Sequence, residues 1–252
     1  MKRFTQTVQE RMDRLSTRLI HALDLSLDLN SFQVSERQKE RKTFFDRVLD
    51  LLSDIEAELA AVKINYPLLL SLGPELTTRL LEETTVPAIA DLKVADIDNT
   101  SRWIARQAFG MGFEAIIAHP FVGYQGGLDG LFQEAEEAEK GVILVVNMSH
   151  PGSAEFITPQ AEKLTEFASE HGADGAIAPA TRPNEVREAR DRLGDQMMLF
   201  TPGVGAQGGG PGDAVKAGAD CEIVGRAIYQ ASDPLGAARR IKGLINEAVD
   251  RR

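Results

Sequence analysis

Val142-Ile-Leu-Val-Val-Asn-Met-Ser149 is a continuous apolar run that ends in polar residues and then a His-Pro-Gly turn. At this length and with this β-branched content it reads as a strand covered on both faces, the habit of parallel sheets. Downstream, Thr158-Pro159 offers a cap followed by proline at the first helical position, and the spacing predicts a helix over Thr158–His171 that closes on Gly172. The next apolar run, Gly175–Thr181, then completes a strand–helix–strand unit. The same alternation extends in both directions, through Arg18–Leu25, Ala60–Tyr66, Val86–Val94, Ala115–Phe121, Met197–Val204 and Cys221–Ile228. Consecutive runs start about 29 residues apart, enough for a strand, a helix and two short loops. Eight such units argue for a (β/α)8 TIM barrel, an α/β fold, over an open doubly wound sheet.

Other segments fit this frame. Asn99–Met111 opens on Asn-Thr-Ser as a cap and puts Ile104 and Ala108 on one face, while Asp233–Val249 opens on Asp-Pro. Phe4–Ser16 reads as an extra amphipathic helix before the first strand, placed to cover the barrel bottom. The first strand-to-strand step is longer, about 42 residues, and its polar stretch Asp28–Lys42 is expected to be an extended loop and a helix start. The expected organisation is one barrel domain over residues 1–252, with the N-terminal helix in 1–16 and the barrel in 18–252.

The 252 residues carry a net charge of −10 and are 43% hydrophobic, an ordinary globular profile that excludes a disordered or collagen-like chain. No apolar run reaches the roughly 18 residues of a membrane helix. Met1–Glu10 lacks the apolar core of a secretory signal, so a cytoplasmic location is the expectation. A single cysteine, Cys221, excludes intrachain disulfides and argues against a cysteine metal cluster. Net acidity disfavours nucleic acid and anionic membranes as partners, but local cations can still hold a small anion, because salt screens the global field within about 8 Å.

In a barrel of this type chemistry sits at the C-terminal strand ends. Those positions hold Asp24, Lys63, Asp91, Lys93 and Asp96, then Asn147-Met-Ser-His-Pro-Gly152, Thr201–Gly210 and Gly225-Arg226. Asp91 and Lys93 are two apart on a strand and leave one face. With Lys63 they can form an alternating Lys–Asp–Lys array, extended by Asp96. A structural ion-pair network explains the same charges equally well. Five glycines within Thr201–Gly210 let backbone N–H groups approach an anion, and Arg226 can clamp it. A flexible surface loop is the plainer alternative there.

Asp91-Leu-Lys93-Val-Ala-Asp96-Ile97 matches the Asp-x-Lys-x-x-Asp-Ile signature of the orotidine 5′-phosphate decarboxylase family. The chain resembles that family, in wording close to its archaeal branch, at five further places in order: Ala22-Leu-Asp24, Val62–Pro67, Met148–Gly152, Thr201–Gly209 and Ile223–Arg226. The resemblance implies decarboxylation of orotidine 5′-phosphate to uridine 5′-phosphate, the last step of de novo pyrimidine nucleotide synthesis, without cofactor or metal. Asp24 and Lys63 would hold ribose hydroxyls, and Lys63 would also join the charge array. Asp91 would face the substrate carboxylate, and Lys93 would protonate C6. Asp96, Ile97 and Thr100 would reach the neighbouring site of a homodimer. Ser149 would contact the pyrimidine. Pro202 and Gln207 would line ring and phosphate, with Gly205, Gly208, Gly225 and Arg226 on the phosphate.

Three departures stand out: the long first step, Leu92 where the family commonly has phenylalanine, and His119-Pro-Phe in place of His-Gly-Phe. Leu92 is expected to point away from the barrel interior. Two rivals remain, a metal-dependent sugar-phosphate decarboxylase or aldolase of the same suprafamily (or a Schiff-base aldolase using Lys93), and a non-catalytic pyrimidine-nucleotide-binding barrel. Of the remaining features, the four histidines lack metal spacing, and His150 is expected to shape its turn. Trp103 is assigned to helix packing or a dimer interface, Glu134–Lys140 to a solvated helix face, and Cys221 to a small buried position.

Overall fold

A computed structural model describes residues 3–205 and 208–249. Eight parallel strands, β1 (Leu19–Ala22), β2 (Ala61–Asn65), β3 (Ala88–Val94), β4 (Ala115–Ala118), β5 (Gly141–Val145), β6 (Gly175–Ile177), β7 (Met198–Pro202) and β8 (Cys221–Val224), close in sequence order into a barrel. Each of the eight apolar runs holds a strand, with β5 starting one residue ahead of its run at Gly141. The helices are α1 (Arg3–Leu15), α2 (Arg37–Ile55), α3 (Tyr66–Leu72), α4 (Pro74–Glu82), α5 (Asp98–Gly110), α6 (Asp129–Glu137), α7 (Ser153–Phe156), α8 (Ala161–Glu170), α9 (Pro183–Leu193), α10 (Asp213–Lys216), α11 (Arg226–Tyr229) and α12 (Pro234–Val249). The long first step is accounted for by the 19 residues of α2 and the turns before it. Among the described residues no helix is long and apolar enough to cross a membrane.

Strand alternation sorts the apolar side chains into two cores. Outward positions such as Ala90, Leu92 and Val94 pack under the helices, so Leu92 does point away from the interior. Inward positions such as Ile89, Ile117, Ile143 and Phe200 fill the barrel together with Phe4, Val8 and Met12 of α1. That helix therefore covers the barrel bottom, as its amphipathic pattern predicts. The close approach depends on Gly141, where a Cβ would lie 2.7 Å from the Phe4 ring. Arg11 fixes the helix axially by donating to the carbonyls of Leu59 at 2.7 Å and Glu56 at 2.6 Å.

Two expected helix starts are corrected. α5 begins at Asp98, with Ile97 as its cap residue and no side-chain cap. Asn99 and Thr100 thus lie inside its first turn. Thr158-Pro159 opens a short 3-10 turn rather than α8 itself, because Thr158 Oγ1 bonds the Asn147 side chain at 3.0 Å. Asp233 does cap α12, accepting from the Gly236 amide at 2.9 Å.

Two surface assignments also shift, those of Glu134 and Trp103. Glu134 is not on a solvated face but 8% exposed, ion-paired with Arg102 at 3.1 Å and Arg106 at 2.8 Å. Trp103 is 53% exposed in this chain, which removes the helix-packing reading. His150 accepts at its carbonyl from the Ser153 amide at 3.0 Å, in keeping with a turn-shaping role. Cys221 is fully buried, and burial pushes its thiol well above the usual range.

His21 on β1 is fully buried, its Nδ1 on the Val224 carbonyl at 2.9 Å and its ring edge-on to Tyr229. Burial, with Lys63 nearby, pushes its pKa down to about 4. A depressed histidine stabilises the fold above its unfolded pKa near 6.5, and that stability is lost as pH falls toward 4. Lowering pH from 7 to 5 should therefore remove about 2 kcal/mol through this one group. Urea melts at both pH values should show the loss in the native chain and its absence in His21→Gln.

Candidate active site

The C-terminal strand ends surround a cavity of about 260 Å³. Its apolar wall is Ala22, Val145, Ile177 and Ile223, and its polar wall carries Asp24, Lys63, Asp91, Lys93, Asn147 and Arg226. Strand geometry builds the charged array from the sequence. Lys63 on β2 and Asp91 on β3 both point inward, and β2 and β3 pair with Asn65 opposite Asp91. Lys63 Nζ lies 2.6 Å from Asp91 Oδ2 and 3.2 Å from Asp24 Oδ1, while Lys93 Nζ lies 2.6 Å from Asp91 Oδ1. Each oxygen of one carboxylate thus receives its own ammonium.

Alternation puts the Asp91 and Lys93 side chains on the cavity side, but the strand is irregular at this point. The register of β3 against β4 shifts between Ala90 and Val94, and Lys93 sits at φ 44°. A lysine in the left-handed region inside a bulge is strained by roughly 1–3 kcal/mol. The bulge turns the Lys93 head toward Asp91 while leaving the side chain 40% exposed at the mouth.

Burial controls the electrostatics. Desolvation pushes the Asp91 carboxyl up, but Lys63 and Lys93 outweigh it and hold the group below the usual carboxylate range. Burial likewise pulls Lys63 down, and Asp91 and Asp24 more than reverse this, so its ammonium is held above its ordinary value. Asp91 thus lies between the amines of Lys63 and Lys93, with Asp24 on the far side of Lys63. Burial first, and then the positive charge of Lys93, push His119 at the end of β4 down to about 4, so it is neutral at physiological pH.

Of the other expected site residues, Ser149, Pro202, Gly225 and Arg226 line the cavity, as do Gly203 and Val204 of the glycine-rich segment. Gly205 and Gly208 are outside the lining and exposed. Their amides already bond loop carbonyls, Gly205 N–H to Gly209 at 2.7 Å and Gly208 N–H to Gly205 at 2.9 Å. Both have positive φ, 78° and 99°, which explains the glycines there by backbone shape. Gln207 lies outside the described residues. Asp96 does not extend the array within its own chain. It is exposed, its Oδ1 accepting from the Ile97 amide at 2.7 Å, and neither it nor Ile97 nor Thr100 lines the cavity.

Two polar lining residues, Tyr229 and Asn147, have no role assigned from the sequence. Tyr229 stands one turn after Arg226 on α11, a spacing that could have found it. Asn147 was visible at the end of its strand, but its partners come from distant segments.

Fold and site together define a (β/α)8-barrel enzyme whose centre is made of ammonium and carboxylate groups. The family model described as "Orotidine 5'-phosphate decarboxylase / HUMPS family" matches residues 17–241. The chain is 46% identical over 196 residues to the orotidine 5'-phosphate decarboxylase of Pyrococcus horikoshii, covering 78% of this chain and 91% of that one. It is 47% identical over 204 residues to the enzyme of the same name from Thermococcus kodakarensis, covering 81% and 93%. A crystal structure of the Methanocaldococcus jannaschii orotidine 5'-monophosphate decarboxylase, complexed with inhibitor BMP, superposes with TM-score 0.79 at 35% identity, over 91% of this chain and 99% of that one. This chain belongs to the orotidine 5'-phosphate decarboxylase / HUMPS family.

Proposed function

We propose that this protein decarboxylates orotidine 5′-phosphate to uridine 5′-phosphate, closing de novo pyrimidine nucleotide synthesis. The observation that carries the reading is the Lys63–Asp91–Lys93 array at the cavity's polar wall, in a chain of this family. In the reaction the bond between C6 and the carboxylate carbon breaks, and its electron pair stays on C6. Lys93 stabilises the developing anion and delivers a proton to it, carbon dioxide departs, and water returns a proton to the amine. Asp91, held ionised by two cations, faces the substrate carboxylate. At about 4 Å and an effective dielectric near 20, two like charges repel by about 4 kcal/mol, and relief of that repulsion is worth roughly three powers of ten in rate. The remaining acceleration comes from cations fixed in place before the substrate arrives.

Asp24 and Lys63 hold the ribose hydroxyls, Ser149 the pyrimidine, and Pro202 with the glycine-rich segment the ring and phosphate. Gly225 and Arg226 hold the phosphate. Arg226 is exposed at the rim of the cavity, free to meet a dianion from solvent. Arg226→Ala should weaken uridine 5′-phosphate binding by roughly a hundredfold and leave uridine unaffected. Calorimetric titration of both ligands checks this.

The active form is a homodimer in the cytoplasm. Supporting this, Ile97 is 66%, Trp103 53% and Phe121 62% exposed on this chain, an apolar display that a second copy would cover. Asp96, Ile97 and Thr100 then complete the partner's site. Mixing inactive Lys93→Ala and Asp96→Ala variants should restore activity, because a hybrid dimer rebuilds one intact site.

The deciding experiment follows the absorbance of orotidine 5′-phosphate after adding enzyme in excess chelator. Loss of absorbance with formation of uridine 5′-phosphate supports the reading. Turnover only when a divalent metal is restored would favour the sugar-phosphate branch, and binding without turnover the non-catalytic barrel.

A further inference from the structure

Beyond β5 the main chain is held by a side-chain network that none of these roles uses. The amides of Val146 and Asn147 both meet the Ile177 carbonyl, at 3.1 and 3.2 Å, so strand pairing ends there. Asn147, 3% exposed, takes over. It lines both the main cavity and a second cavity of about 460 Å³, whose walls include Thr158, Glu162, Glu185 and Arg192. Its Nδ2 donates to Glu185 Oε2 at 2.6 Å. Its Oδ1 accepts from the Met148 amide at 2.8 Å and from Thr158 Oγ1 at 3.0 Å. Ser153 Oγ donates to the Met148 carbonyl at 2.9 Å, so Met148 is tied at both its N–H and its C=O. Glu185, in the first turn of α9, is held by Arg182 at 3.3 Å, and Arg182 also donates to Thr158 Oγ1 at 3.3 Å.

We propose that Asn147, oriented by Glu185 and Thr158, is a positioning residue for base recognition that sets the Met148–Ser149 turn against the pyrimidine ring. This rests on the assignment of Ser149 to the pyrimidine made above. Only a carboxamide satisfies the site, because the position needs a donor toward Glu185 and an acceptor toward Met148 at once. Aspartate would put two carboxylates in contact, and an apolar residue would strand the Met148 amide. The network touches neither Gly225 nor Arg226. Its loss therefore loosens the base end of the cavity and spares the phosphate end.

The test is calorimetric titration with uridine 5′-phosphate and with ribose 5-phosphate, which lacks the base, alongside turnover of orotidine 5′-phosphate. Asn147→Ala and Glu185→Ala should each weaken uridine 5′-phosphate by about tenfold and leave ribose 5-phosphate within about twofold. Glu185→Gln keeps an acceptor for Nδ2 and should restore uridine 5′-phosphate binding to within about twofold of the native chain. Equal weakening of both ligands, or undiminished uridine 5′-phosphate binding, overturns the proposal. Where Asn147→Ala lacks a cooperative melt, the Glu185 pair of variants decides alone. Failure of the underlying reading looks different: the native chain itself would then neither turn over orotidine 5′-phosphate nor prefer uridine 5′-phosphate to ribose 5-phosphate.

Discussion

Lys93→Ala should reduce turnover of orotidine 5′-phosphate by at least about four powers of ten while the barrel stays folded. General acid catalysis contributes roughly two to four powers of ten, and the cation beside a developing carbanion contributes further. The fold should survive because Lys93 is 40% exposed, and a pair with that much solvent access is worth at most about 1 kcal/mol. Lys63 still pairs with Asp91 at 2.6 Å in the variant. A second readout is independent of activity. Lys93 is one of the groups that hold His119 near pKa 4, after burial, so the variant's His119 should titrate at higher pH by NMR. A variant with near-native turnover would remove the assigned proton donor.

Asp91→Asn should be the most damaging change in the site for stability as well as for rate. The substitution leaves two ammonium groups about a carboxamide that carries no charge, and one of them, Lys63, is 6% exposed. Removing one partner of a buried ion pair costs about 3–5 kcal/mol. Asp24, 3.2 Å from Lys63, offsets part of this, so a loss near the lower end is expected in chemical denaturation. Turnover should fall by about three powers of ten or more, the share assigned to carboxylate repulsion. The pH dependence carries a distinct sign. A carboxyl held below its unfolded pKa stabilises the fold above that value, and the contribution is lost as pH falls through the folded pKa. Asp91→Asn should therefore flatten the acid limb of the stability curve below about pH 4. Native stability and native turnover together would show that the array is dispensable.

Much of this architecture was legible in the chain because it rests on local patterns. Strand alternation and the spacing of apolar runs located all eight strands. The amphipathic pattern at the N-terminus located α1 and its place under the barrel. The parity of Asp91 and Lys93 correctly put both on the cavity side. What was hidden depends on partners far away in sequence. The bulge at Lys93 leaves no compositional mark, since lysine has no preference for positive φ. Glu134 looked like one more charge in a solvated run, and only Arg102 and Arg106 of α5 explain its burial. Thr158 looked like a helix cap until Asn147 claimed its hydroxyl. Asn147 itself has no local signature, because Glu185 is 38 residues away.

The helix under the barrel has a consequence for traffic. With Phe4 packed against Gly141 and Phe200, the barrel interior is filled from below, and among the described residues the cavity is lined at the C-terminal strand ends. On the proposed roles, the nucleotide enters and both products leave past the rim that carries Lys93 and Arg226. Departure order is therefore a property of that rim. On the proposed roles, carbon dioxide formed beneath a nucleotide held at Arg226 passes Lys93, the proposed proton donor, on its way out.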